Sequence, residues 1–271
     1  MDRAEAAAAA ILSASSEGRQ IPPFTAADTG FDLTVATAAG HRIRRWRESE
    51  GWLPVGRKVG FTNRTIWDEY DVHAPIWGCV YDRTVREARS IDAQPIGHLV
   101  EPRIEPEIML TLGSTPRPGM DERALLGCVA GVSHGFEIVQ SVYPGWRFQA
   151  ADTVAAFALH GALVLGEPAS ILPADADAWF AALADFRIVL SCDGEAMDEG
   201  HSANVLGTGP LGALRHLVAV LAADPEAPPL QAGEIISTGT LTRALPVSPG
   251  QTWSTRLDGV ALPGITVRLV D

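Results

Sequence analysis

The run Ile104-Glu105-Pro106-Glu107-Ile108-Met109-Leu110-Thr111 constrains this chain more than any other stretch. Side chains alternate faces along a strand. The pattern therefore predicts a strand with Ile104, Pro106, Ile108 and Leu110 on an apolar face and Glu105, Glu107, Met109 and Thr111 on the other. The two carboxylates then point the same way with Cα atoms ~6 to 7 Å apart, close enough to reach one cation. Unneutralised, they repel by about 3 kcal/mol at ~5 Å and an effective dielectric near 20. Such a pair either faces a positive partner or lies on a solvated face as two ordinary surface glutamates, and E-x-E alone leaves both open. Pro106 has no N–H for a ladder, which predicts a sheet edge or a bulge where a site opens to solvent.

A third acid stands out downstream. Glu137 is the only carboxylate in the apolar run from Cys128 to Val139, and burying it is costly unless it is protonated, paired or bound to metal. His134 in the same run is either a ligand or a satisfied core or rim histidine. Upstream, alternation in Val55 to Thr62 puts Lys58 and Thr62 on one face between Gly56 and Gly60, which leave room for something to approach the ammonium. The order G-x-x-x-x-G-K-[ST] is absent, so this is no phosphate loop, and taken alone Lys58 also reads as an exposed strand lysine. Asp82 closes the apolar run that starts at Gly78, as a turn residue before Arg83 or as a site group.

The remaining elements follow from caps and breakers. Helices are predicted over residues 2–16, stopped by Gly18, and over 32–50. The tail of the second, His41 to Arg47, is the one dense basic cluster, and it reads more simply as a solvated face complementing the helix dipole than as a nucleic-acid patch. Shorter helices are predicted over 63–70, capped by Thr62, over 122–126 and over 171–184, with another running from Pro210 to Ala222. Strands are expected over 78–82, 186–192, 234–242, 252–257 and 265–270. Gly207 to Gly212 matches G-x-G-x-x-G, but 199–204 supplies no apolar strand ahead of it, so it is not a dinucleotide fingerprint. Without regular βα alternation the class is α+β, with an N-terminal helical part over residues 1–70 and a β-rich catalytic domain over 71–271.

A chain of 271 residues can bury a large core unaided. Its net charge of −12 argues against nucleic acid or an anionic membrane as partner, and makes local positive charge or a metal necessary for any anionic substrate. Cys79, Cys128 and Cys192 are far apart and form no C-x-x-C pair, which suits free thiols in a cytoplasmic protein and excludes a zinc site built on them. The apolar stretch from Ala4 to Leu12 is too short to span a membrane and lacks a signal-peptide pattern.

Taken in order, Gly56-Arg57-Lys58-Val59-Gly60-Phe61-Thr62, Gly78 to Asp82, Arg103 to Ile108, Phe136-Glu137-Ile138-Val139, Asp152-Thr153 and Ala232 to Thr242 resemble the fumarylacetoacetate hydrolase superfamily. Within it they are similar to the 2-keto-4-pentenoate hydratase and 4-oxalocrotonate decarboxylase branch. The resemblance implies a mixed β-roll core after the small helical part, a homo-oligomer, and a Mg²⁺ or Mn²⁺ site. It implies Glu105, Glu107 and Glu137 as metal ligands, Lys58 and Asp82 as proton-handling and orienting groups, and Thr240, His160 and Gln140 as substrate contacts. The implied substrate is a small 2-oxo or 2-hydroxydienoic acid such as 2-oxopent-4-enoate, and the implied reaction is hydration. Three carboxylates suit an octahedral cation that keeps exchangeable waters. The same centre serves a decarboxylase or C–C hydrolase, and a catalytically silent relative is a further alternative. The chain departs from the family pattern at Gln140, Val142, Ala156, Phe157 and His160, which predicts a less polar rim around an intact metal shell.

Overall fold

The computed structural model describes residues 2–271. Aspartates start both long N-terminal helices. Asp2 accepts from the Glu5 amide ahead of α1 (Arg3–Ser16), and Asp32 accepts from the Val35 amide ahead of α3 (Leu33–Ser49), each satisfying a first-turn donor. A single turn, α2 (Phe24–Ala27), lies between them. The strands in chain order are β1 (Pro54–Gly60), β2 (Ile76–Tyr81), β3 (Val85–Glu87), β4 (Gln94–Pro95), β5 (Arg103–Leu112), β6 (Val129–Val139), β7 (His160–Leu165), β8 (Ala169–Ser170), β9 (Arg187–Cys192), β10 (Glu195–His201), β11 (Ile235–Ser237), β12 (Leu245–Pro246), β13 (Thr252–Asp258) and β14 (Thr266–Val270). Between them run α4 (Trp67–Tyr70), α5 (Glu122–Leu126), α6 (Ala150–Ala155), α7 (Ala176–Ala184) and α8 (Pro210–Ala223). This is an α+β fold with mixed sheets.

The larger sheet has the order β2-β1-β11-β5-β6-β7-β3, with β12 also on β5 and β8 on β6. The smaller has the order β10-β9-β13-β14-β4. Pairing of β1 with β11 and of β3 with β7 is parallel, whereas β5, β6 and β7 run antiparallel. The apolar face of β5 is buried as the alternation demands, with Ile104, Ile108 and Leu110 all at 0% exposure. At about 1.5–3 kcal/mol per buried side chain, that face outweighs the repulsion between the two acids opposite. Ile104, Phe136 and Ile138 pack on Leu190, Trp253 and Leu269 of the second sheet, while α5, α7 and α8 cover the region around Ile108 and Leu110. A third cluster joins α1, α3 and α6.

Several expectations are corrected. Strand β1, where alternation over 55–62 places one, is integral to the large sheet, so residues 1–70 are not wholly helical. Pro106 lies within an internal strand. Its carbonyl accepts from the Leu241 amide in the stretch between β11 and β12, so the missing N–H falls where no ladder partner runs. The turn over 64–66 is capped by Asn63, whose carboxamide accepts from Thr65 N, while Thr62 donates to Thr238 O. Residues 199–201 belong to β10, which is polar and pairs antiparallel with β9. In the basic cluster His41 and Arg47 are buried, at 4% and 8% exposure, so it is not a solvated face. Among the described residues no helix is long and apolar enough to cross a membrane.

Candidate active site

Register decides which acids meet. Across the β5–β6 ladder Glu105 stands opposite Glu137, and Glu107 stands opposite Gly135. Directly opposed residues have Cβ atoms ~4.5–5.5 Å apart on one face and diagonal ones ~7–8 Å, so all three carboxylates share a single patch. One oxygen from each lies within 4.8 Å of the others. Glu107 and Glu137 are fully buried and Glu105 is partly exposed.

Each acid is held differently. Glu107 Oε2 accepts from the Ser237 hydroxyl and, at 2.8 Å, from the Gly239 amide. Gly239 has φ 98°, and a Cβ there would collide with the Thr62 hydroxyl, so only glycine turns this amide toward the acid. Glu137 Oε1 lies 2.7 Å from His160 Nδ1, and Oε2 lies 3.1 Å from Lys58 Nζ without a hydrogen bond directed at it. Lys58 is the register partner of Ser237 on β11, which pairs with β5, and its side chain crosses the face of the sheet to Glu137 on β6. Its ammonium also donates to Ala158 O at 2.9 Å. Residues Phe157, Ala158 and Leu159 around that carbonyl all have positive φ, a strained state for non-glycine residues.

Electrostatics follow from burial and charge. Burial raises the Glu105 carboxyl to about 7, with Lys58 opposing and Glu137 adding to the rise. Glu107 is pushed well above the carboxylate range by burial and by its two acidic neighbours. Burial alone would raise Glu137 too, but Lys58 and His160 outweigh it and hold its carboxyl low. Lys58 is fully buried, yet the three acids keep its ammonium charged to higher pH than usual. Glu107 Oε1 and Glu137 Oε2 are buried with no hydrogen bond. Hard oxygens left free and aimed together fit an oxygen-seeking divalent cation.

Of the other expected site residues, His160 is at the cluster and the rest are elsewhere. Asp82 is exposed and accepts from the Leu53 amide. It lies four residues beyond Gly78, the strand partner of Lys58, or ~13 Å along β2. Thr240 donates to Thr242 O within its own loop. Gln140 accepts from the Val100 amide and donates to His160 O, so it braces the backbone. His160 is at the site through Glu137, with Nε2 2.9 Å from Thr84 Oγ1. His134 is a buried core histidine between Glu107 O and Thr255 Oγ1. Val142, Ala156 and Phe157 join the apolar core. Ser237 and Gly239 had no role assigned from sequence, though a glycine just past an apolar strand was a signal of special backbone geometry.

No family model matches the chain. A 4-oxalocrotonate decarboxylase from Pseudomonas sp is 33% identical over 248 residues, covering 88% of this chain and 87% of the relative. A 2-keto-4-pentenoate hydratase from Paraburkholderia xenovorans (strain LB400) is 33% identical over 262 residues, covering 94% and 91%. This chain belongs to the 2-keto-4-pentenoate hydratase and 4-oxalocrotonate decarboxylase family. The solved structure of 4-oxalocrotonate decarboxylase from Pseudomonas putida G7, complexed with magnesium and adipate, has a TM-score of 0.87 to it at 26% identity, covering 99% of this chain and 97% of that one. Structures from the wider fumarylacetoacetate hydrolase family share the fold. This chain has an acidic triad beside a lysine, with apolar side chains around it. The small cavity at Lys58 and Glu105, ≈ 20 Å³, is walled chiefly by Phe61, Ile66, Leu159 and Ala244.

Proposed function

We propose that this chain is a divalent-metal-dependent hydratase adding water to a 2-hydroxydienoic or 2-oxo-enoic acid such as 2-oxopent-4-enoate. Glu105, Glu107 and Glu137 would hold Mg²⁺ or Mn²⁺. The observation that carries the reading is the convergence of one oxygen from each of Glu105, Glu107 and Glu137 within 4.8 Å, with Glu107 Oε1 buried and without a hydrogen bond and Glu137 Oε2 facing the Lys58 ammonium. Once all three carboxylates are ionised, one ammonium leaves two negative charges unmatched, the charge of one divalent ion. When bound, such an ion supplies charge stabilisation to the oxygens of a 2-oxo acid. Lys58, fixed by Ala158 O and Glu137, presents positive charge to a substrate anion and is the side chain placed to move a proton. His160 orients Glu137.

A decarboxylase reading is favoured by the cavity itself, which has room for about one water molecule and few polar groups to hold it. Loss of dienol ultraviolet absorbance that needs Mg²⁺ and disappears with chelator and in Glu107→Gln supports the hydratase. Carbon dioxide release in place of hydration moves the assignment to decarboxylation. Stoichiometric metal binding with no turnover of any 2-oxo acid leaves a silent relative. The proposal includes a homo-oligomer, supported by large apolar side chains left in solvent, Leu53 at 63% and Leu33 at 55%, and tested by sedimentation. It includes a cytoplasmic location, supported by three free, buried cysteines.

A further inference from the structure

A second cavity of ≈ 260 Å³ lies behind β2, between α3, α6 and α8, and none of the three acids lines it. One wall is the face of α3 on which Thr37, His41, Arg44 and Arg47 follow at three- and four-residue spacing. Two of the cations there are matched. His41 Nε2 is 2.8 Å from Asp224, and Arg44 is 3.2 Å from Glu48. Arg47 is matched by no carboxylate: it is 8% exposed, its Nε has no hydrogen-bond partner, its polar side-chain partner is the neutral Tyr81, and no carboxylate lies within ion-pair distance among the described residues. Its guanidinium is held instead over the rings of Phe157 at 4.2 Å, Trp52 at 5.0 Å and Tyr81 at 5.1 Å. Ring faces return only part of the hydration that a buried cation gives up, and buried charges are otherwise paired.

We propose that this cavity binds a small monocarboxylate with an apolar body, its carboxylate on Arg47 and its body against Trp77 and Val220. One unmatched guanidinium sets the ligand's charge, and its planar fork suits a carboxylate. The apolar lining selects against phosphate and other compact hydrated anions. Phe157 lines this cavity, and its neighbours Ala158 and Leu159 line the cavity at Lys58. The Phe157 ring lies on Arg47, and the next residue's carbonyl, Ala158 O, accepts from Lys58. Occupancy at Arg47 therefore acts on Lys58 through one strained turn, and the ligand is an effector of turnover.

The test titrates the Mg²⁺-loaded protein with hexanoate and with benzoate, following tryptophan fluorescence, with hexanamide, benzamide and hexylamine as controls. Expected is a saturable change for the acids alone, undiminished in Glu107→Gln, with affinity lowered at least about tenfold in Arg47→Met. Thr37→Phe fills the cavity while keeping the guanidinium, and is expected to block binding as well, so the test survives a poorly folding Arg47 variant. Amides binding as tightly as acids, binding that persists in both variants, or binding lost in Glu107→Gln overturns the proposal. So does an absence of saturation at millimolar acid, or a cavity already covered by a second copy. The binding readout is independent of the hydratase reading. Only the effector readout, a changed kcat at saturating acid that Thr37→Phe abolishes, rests on it, and an unchanged kcat refutes the coupling.

Discussion

Glu137 is the register partner of Glu105 across the β5–β6 ladder, and its two oxygens are divided between Lys58 at 3.1 Å and His160 at 2.7 Å. A slip of one residue would send Glu137 to the face that buries Ile104 and Ile108, where no cation waits. Hydrophobic burial on one face of the sheet therefore fixes the chemistry on the other. The balancing charges come from β1 and β7, so the cluster forms only in the folded sheet.

Glu107→Gln is expected to uncouple stability from metal binding. Burial and two acidic neighbours push the wild-type carboxyl well above the carboxylate range, so a neutral isostere retains the Ser237 and Gly239 contacts and removes the cost of ionising the group. Metal-free thermal stability at pH 8 should hold or rise, by on the order of 1–3 kcal/mol. The gain from excess metal, about 2.7 kcal/mol at a hundredfold excess over Kd for the wild type, should disappear. Unfolding scans with and without Mg²⁺ measure both, and an undiminished Mg²⁺ response in the variant would remove Glu107 from the ligand set.

Lys58→Met should destabilise the metal-free protein by roughly 3–5 kcal/mol, because it strands a buried carboxylate. Glu137 is at 0% exposure, and Lys58 is the first force opposing its burial. Divalent metal should recover part of that loss without recovering activity, which is expected to fall at least ~100-fold. Denaturant melts with and without Mg²⁺, paired with rate measurements, separate the two roles. Full activity in the metal-loaded variant would confine Lys58 to a structural role.

The local elements were legible because local chemistry makes them. Asp121 caps α5 over the expected residues 122–126, and Pro210 opens α8 where expected. The strand face of β5 was equally plain from alternation. What alternation cannot carry is register and the path of neighbouring strands, so the opposition of Glu105 to Glu137 and the reach of Lys58 from β1 to Glu137 were visible only in three dimensions. Strand β10 was missed because its polar residues are mostly exposed and have no apolar alternation. Asp82 misled for a related reason. An acid at a strand end looks the same whether it faces a site or caps a turn, and here it holds the Leu53 amide.

His134 should make the protein acid-sensitive. Complete burial lowers its imidazole to about 4 from the ordinary 6.5. A lowered folded value means that the stabilisation is full above pH 6.5 and is lost as pH falls toward 4, since the unfolded chain takes up the proton first. At pH 5 the loss relative to pH 8 is about 2 kcal/mol. His134→Gln removes this contribution, so the difference between wild type and variant in urea melts should shrink by that amount from pH 8 to pH 5. A difference independent of pH would mean that the ring is already protonated in the fold.

Metal binding should expel protons, and more of them at lower pH. Glu105 is raised to about 7 and Glu107 further above its ordinary 4.5. Groups raised in the fold contribute stability below the unfolded value that is lost as pH rises through the folded one, so the metal-free protein should weaken from about pH 4.5 upward, by a few kcal/mol in all. A cation binds carboxylates only in their ionised form, so its apparent affinity must rise over the same range as the protein's own stability falls. At pH 6 the expected release is on the order of one to two protons per ion, declining toward zero well above pH 8. Calorimetry in two buffers of different ionisation heat counts them directly. A count near zero at pH 6 would mean that the three acids are already ionised without metal.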